Sequence, residues 1–352
     1  MKISSSKIII GIGVLALVAA AGLAMISRQK SETPAPVVSP KRIGVVEYIK
    51  ESDPSFEGLK KGMADLGYVE GKDVVYEYQV ANADQKKVAE IAKSFVAQNV
   101  DLIYAITFPS TQAVFNAMRD AGRSDIPVVF AQANNPVEGG IIQSYKSSGN
   151  NFTGVTADFA SLTPKKLEIL QRINPNIKKI GFFRVKEQDD KYPSNVLTVA
   201  SLKENAPKFG ITLIEYSLEN QENSLIPAAF QAAADRLTSS DIDALLHPTG
   251  VLYSGENLTI AAELGNRLRI PVLFALPGNL NIGGLFVYSH DFYAIGEQTA
   301  PMVDKIFRGV SPSDIPVEPP RKNTLYLSLE NAAQIGVTIP RDVLEIAQPW
   351  GT

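Results

Sequence analysis

Polar residues of the kinds that hold small ligands follow several short apolar runs of this chain. Thr107-Phe108-Pro109-Ser110-Thr111-Gln112 follows the run 102–106 and opens a helix-like pattern. A helix start carrying Ser and Thr hydroxyls is a ready anion site, because free backbone N–H groups and the positive dipole end point outward. The competing role for the same residues is plain capping by Ser110. Gln132-Ala133-Asn134-Asn135-Pro136 follows the run 128–131, and its side-chain amides can either bind a ligand or build a turn. Glu47 and Tyr48 close the run 43–48, Asp158 follows the run 152–155, and Asp291 opens a further helical stretch. Arg184 follows the run 179–183 beside Glu187, and His247 ends the run 244–247 ahead of Thr249. A guanidinium at a strand end can grip a ligand anion with two hydrogen bonds. Its bland alternative is a pair with Glu187 or Asp190 that orders the loop. His247 has a catalytic and a structural reading.

Signatures of catalysis and cofactor binding are missing. Gly11-Ile12-Gly13 sits in an N-terminal apolar run, and no Gly-x-x-x-x-Gly-Lys-Ser/Thr loop occurs. Tyr253-Ser254-Gly255 resembles a nucleophile elbow, but Leu252 stands where the first glycine belongs. There is no His-Glu-x-x-His, and the adjacent Asp189-Asp190 would point apart on regular structure. With no cysteine and 2 histidines, thiolate metal sites, iron–sulfur clusters, disulfides and a lipid-modified cysteine are excluded, and a histidine-rich metal site is not expected. We therefore expect no cofactor, no metal and no enzyme.

The elements that would position these residues alternate between strand and helix. A chain of 352 residues exceeds one compact core, so two domains are the default. An apolar share of 45% and a charged share of 20% fit a globular chain. A net charge of −3 argues against a partner held by a basic field, such as nucleic acid. Strand-like and helix-like segments alternate from residue 43 to about 155, and the series restarts after residue 163. That order predicts two doubly wound α/β lobes with parallel sheets and a ligand cleft at the carboxyl ends of the strands. The expected boundaries are 42–157 plus about 285–312 for the first lobe, and 158–284 plus about 313–352 for the second. Residues 31–41 read as a proline-rich linker. Ahead of it, Lys2 and Lys7 precede an apolar run over 8–26, about 28 Å long as a helix. Residues 1–30 are either a signal peptide cut after Gly22-Leu23-Ala24 or an uncleaved anchor, and both export the globular part to the periplasm or the outer face of the membrane.

Taken in order, several segments resemble the ABC-transporter substrate-binding proteins of the tryptophan/tyrosine-binding type, which adopt the type I periplasmic-binding-protein fold. The matching stretches include Gly67-Tyr68-Val69-Glu70-Gly71-Lys72, Thr107–Gln112, Ile126-Pro127-Val128-Val129-Phe130 and Asn134-Asn135-Pro136-Val137. Asn151-Phe152-Thr153-Gly154-Val155, Asp291-Phe292-Tyr293-Ala294-Ile295-Gly296 and the tail Asn331–Pro340 complete the set. The departures fall at the strand ends: Ser110-Thr111 for a pair of alanines, Asn135 for an aspartate, Phe183-Arg184 for Tyr-Asn, and His247-Pro248-Thr249-Gly250 where the family has an aspartate. The resemblance implies a solute-binding protein; we expect it to be monomeric, and the length of the run 8–26 with the missing lipoprotein cysteine leads us to expect a membrane tether at its N-terminus. It would close two lobes around a small ligand, an aromatic amino acid by family, and deliver it to an ABC permease. The alternatives are an enzyme using the same cleft and the sensory ectodomain of a receptor.

Overall fold

The computed structural model describes residues 39–50, 53–191, 193–247, 250, 252 and 255–350. The N-terminal apolar run, residues 31–38 and Thr249 lie outside the described residues. Five strands form the first sheet: β1 (Lys41–Glu47), β2 (Val74–Val80), β3 (Leu102–Ile106), β4 (Val128–Ala133) and β5 (Phe152–Thr156), in the order β2-β1-β3-β4-β5, all parallel. β3 and β4 are buried at every position. Such unbroken apolar strands belong to a sheet covered on both faces. The helices α1 (Pro54–Asp65), α2 (Gln85–Gln98) and α3 (Phe108–Asp120) supply the cover. α2 turns Val88, Ile91, Ala92 and Phe95 inward, the stripe that 3.6-residue periodicity requires.

The second half adds α4 (Thr163–Ile173), β6 (Lys179–Arg184), α5 (Lys186–Asp189), α6 (Pro193–Asn205), β7 (Thr212–Ser217), α7 (Ile226–Ala234), β8 (Ala244–Leu246), α8 (Glu256–Leu268) and β9 (Val272–Leu273). It continues with β10 (Phe286–His290), α9 (Phe292–Phe307), β11 (Asn323–Leu327), α10 (Leu329–Ile335), α11 (Arg341–Leu344) and β12 (Ala347–Pro349). The second sheet runs β12-β11-β10-β9-β8-β6-β7, with only the β10–β11 pair antiparallel. This departs from the wholly parallel expectation for a topological reason. The chain leaves β10 at the cleft edge, spends α9 on the first lobe and re-enters by the same edge, so β11 must run back.

The lobe boundaries differ from those expected. β10 belongs to the second sheet, and the change of lobe comes after His290 rather than near residue 285. What fixes α9 to the first lobe is backbone-to-backbone packing on α1. A Cβ at Gly58 would lie 2.0 Å from the Tyr293 carbonyl, and one at Gly296 would lie 2.0 Å from the Ser55 carbonyl. Only glycine admits that approach. On the return, the Glu318 N–H donates to the Gly154 carbonyl at 3.0 Å, so the chain stays on the first sheet beyond residue 313 and joins the second at β11.

From Pro40 onward the chain forms one compact unit. The segments crossing between lobes meet at His290: the Asp158 N–H donates to its Nε2 at 3.0 Å, and Asn323 Oδ1 lies 2.7 Å from its Nδ1. Leu276, just past β9, packs into the first-lobe cluster with Ile106 and Val155. The strand ends of the two sheets therefore face one another. Among the described residues, no helix is long and apolar enough to cross a membrane.

Candidate functional site

The first lobe presents its polar residues where β3 and β4 end side by side. Thr107 has φ +78°, rare for a β-branched residue. It is held there by its own N–H donating to the Ala131 carbonyl at 2.8 Å, and by its carbonyl accepting from Thr111 N at 3.1 Å and Thr111 Oγ1 at 2.8 Å. Backbone strain of this kind costs on the order of 1–3 kcal/mol and gathers at functional sites. Here it turns the start of α3 toward the cleft. No side chain caps that start, so Ser110 is not a cap. Ser110 is fully buried, and neither its hydroxyl nor that of Thr107 has a hydrogen-bond partner among the described residues. Asn134 Oδ1, past the end of β4, is likewise buried and unpartnered. Thr111, expected beside Ser110, has spent its hydroxyl on the Thr107 carbonyl.

The other first-lobe candidates build the frame. Gln132, at φ +60°, donates to Ser55 Oγ at 2.6 Å, and Ser55 Oγ donates to the Phe292 carbonyl at 2.9 Å. That chain ties the end of β4 to α1 and α9. Asn135 is a turn residue, with φ +46° and its carbonyl accepting from Gly139 N at 2.9 Å. Tyr48 donates its hydroxyl to the Ala83 carbonyl at 2.8 Å and braces the loop after β2. Glu47 is wholly buried at the end of β1, where the Tyr78 hydroxyl donates to Oε2 at 3.0 Å and also bonds the Asp53 carboxylate. Burial and the neighbouring Asp53 and Glu47 carboxylates push the Tyr78 phenol far above its ordinary value. Asp158 Oδ1 accepts from Ser161 N at 3.2 Å across the crossing segment. Asp291 caps α9 through Ala294 N at 3.0 Å and pairs with Lys322 Nζ at 2.7 Å. Burial would raise that carboxyl, but Lys322 and the cap hold it below the usual carboxylate range. These last two residues brace the segments that cross between the lobes.

In the second lobe, Arg184 and His247 are bonded to neighbours within the lobe. Arg184, 4% exposed, bonds Asp190 and lies 4.0 Å from Glu215, so the structure realises the loop-pairing alternative. Glu187 is exposed on α5. His247 is buried, with its ring stacked on Phe230 at 6.1 Å and edge-on to Phe274 at 5.6 Å. Its Nε2 faces the Leu252 carbonyl at 3.0 Å, which places the proton on Nε2. Burial lowers its pKa to about 4, so it is a neutral packing residue.

One residue escaped the sequence reading. Lys166 lies in the first turn of α4 and lines a cavity of about 20 Å³ with Phe159, His247, Leu273 and Phe274. It is half-buried, no hydrogen bond or ion pair among the described residues holds it, and burial lowers its pKa to about 8. The signal was available: Lys166 extends the inward stripe Ile169, Leu170, Ile173, whereas its neighbour Lys165 pairs outward with Glu168 at 2.7 Å.

A family model described as ABC transporter substrate binding protein matches residues 43–350. The chain belongs to that family. Substrate-binding proteins of this kind capture a small ligand outside the cytoplasm and pass it to an ABC permease, and they are transport components. A curated relative, the tyrosine-binding protein of Clostridioides difficile, is 30% identical over 282 residues, covering 79% of this chain and 75% of its own. A Vibrio cholerae conserved domain protein of solved structure is 26% identical with TM-score 0.71, over 88% of this chain and 99% of its own. An ABC domain from Streptococcus pneumonia, solved in complex with L-Trp, shares the fold at 23% identity and TM-score 0.72, over 88% of this chain and 99% of its own.

Proposed function

We propose that this substrate-binding protein carries a free amino acid with an aromatic side chain, gripped by its zwitterionic end on the first lobe. The observation that carries the reading is the set of unpartnered groups at the ends of β3 and β4. The hydroxyls of Thr107 and Ser110 are donors for a carboxylate at a helix start that already favours negative charge, and Asn134 Oδ1 is an acceptor for an ammonium. Glu47, at the end of the adjacent β1, supplies the negative charge that offsets the ammonium at longer range. Donors and acceptor side by side complement a zwitterion better than a sugar or a simple anion. The tyrosine-binding relative supports the same ligand class.

Thr107, Ser110 and Asn134 are the contacts; Gln132, Asn135, Thr111, Tyr48, Asp158 and Asp291 hold them and the hinge in place. Calorimetric titration with L-tyrosine and L-tryptophan tests the reading, with tyramine as the probe lacking a carboxylate. Saturable binding of an amino acid but not of tyramine is expected; equal binding of tyramine refutes the carboxylate grip. We place the mature protein at the outer face of the membrane as a monomer, tethered by residues 8–26. An N-terminus beginning at Met25 in the purified protein would refute the tether.

A further inference from the structure

We propose that Lys166 is the specificity-determining residue of the second lobe: its Nζ takes an oxygen at the far end of the ligand's side chain, so the cleft selects aromatic amino acids that carry one. The assignment rests on the amino-acid reading above and deepens it. A half-buried ammonium without a carboxylate or hydrogen-bond partner is costly, and such a group is retained where something else completes it. Lys203, Lys208 and Lys322, by contrast, each pair with a carboxylate at 2.7–2.8 Å.

The surroundings of Lys166 specify the occupant. The cavity is walled by Phe159, Leu246, Leu273 and Phe274, and Lys166, Thr163 and Thr198 also line it. At about 20 Å³ it admits a group the size of one water and no ring. A ligand ring would therefore lie against the apolar rim, with only its polar tip entering. His247, the other nitrogen group on the wall, is neutral and committed at Nε2 to the Leu252 carbonyl, so the tip meets a single cation. α4 follows directly on the crossing segment that contains Asp158, so closing the lobes carries Lys166 toward a ligand already held on the first lobe. A phenol oxygen and a carboxylate share the required chemistry.

The test compares L-tyrosine, 4-carboxy-L-phenylalanine and L-phenylalanine on the full-length protein and on Lys166→Met, with Lys165→Met as the control. In the wild type and in K165M, at least one oxygen-bearing ligand should bind tenfold or more tightly than L-phenylalanine, because a site built to hydrogen-bond a group rejects the analogue lacking it. K166M should bind L-phenylalanine within threefold of wild type, which shows that it is folded, and should lose the preference. Which oxygen-bearing ligand wins identifies the tip as phenol or carboxylate. Equal binding of all three by the wild type, or a preference that survives in K166M, overturns the assignment and leaves the amino-acid reading intact. Failure of the wild type to bind any of them overturns both.

Discussion

The strand ends of the two lobes are made of similar residue types and differ in what those residues have left to offer. On the first lobe, the side-chain oxygens of Thr107, Ser110 and Asn134 are buried and have no hydrogen-bond partner among the described residues. On the second, Arg184 bonds Asp190 while its Nε stays buried without a partner among the described residues, His247 meets the Leu252 carbonyl between aromatic rings, and Lys166 has no ion pair among the described residues. Hydrogen-bonding groups that are positioned but unspent lose little more order when a ligand arrives. On the proposed function, the first lobe is the recognition surface, and the second is a packed wall to which Lys166 adds a polar probe. Such an asymmetry would then let the ligand dock on one lobe before the other closes about the segments that meet at His290.

The largest expected effect probes the packed character of the second lobe. His247 has a folded pKa of about 4 against about 6.5 unfolded, so the unfolded chain binds the extra proton first as pH falls. The stabilisation from keeping it neutral is complete above pH 6.5 and is lost between about 6.5 and 4. It amounts to on the order of 3 kcal/mol. Burial also lowers His290, which adds a slope of the same sign. The melting temperature should therefore fall steeply on acidification in the wild type. In His247→Gln, which keeps a donor for the Leu252 carbonyl, the slope between about pH 6.5 and 4 should shrink, leaving the contributions of His290 and of lowered carboxylates such as Asp291. An unchanged acid slope in that variant would mean that His247 is not packed neutral.

Next in size is the loss of the first-lobe grip. Thr107→Val with Ser110→Ala removes both hydroxyls and should weaken amino-acid binding by about 1–3 kcal/mol, roughly 5- to 150-fold. Thr111→Ala, which loses only a bond to the Thr107 carbonyl, should cost under about 1 kcal/mol of affinity. If the two variants lose affinity equally, the hydroxyls of Thr107 and Ser110 are not the contacts. The smallest effect is on the Arg184 loop. Arg184→Met should lower the stability of the unliganded protein by about 1 kcal/mol, read as a small shift in melting temperature, because a largely buried pair is opened while Asp190 can still reach water.

Much of this arrangement could be read from residue order. Alternating strand and helix patterns predicted two α/β lobes, and the polar runs after β3 and β4 marked the first-lobe edge. The antiparallel β11 could not be foreseen, because its direction is set by α9 crossing to the other lobe, and that crossing depends on backbone contact at Gly58 and Gly296. Which of Ser110 and Thr111 keeps a free hydroxyl also lay beyond the sequence, since both types cap and back-bond equally well. Arg184 looked like an anchor because strand-end position is visible in a sequence and the reach of Asp190 is not. Lys166 was legible in principle, as a lysine on the buried stripe of α4, but it lies ten residues beyond the end of β5, within a helix, and a strand-end position does not mark it.

The division of labour between lobes is tested most directly by titrating Ser110→Ala and Arg184→Met with the same amino acid under the same conditions. The account predicts at least a fivefold loss of affinity in S110A, about 1 kcal/mol, with R184M within twofold of wild type. A tenfold loss in R184M with S110A unchanged would place recognition on the second lobe and contradict it.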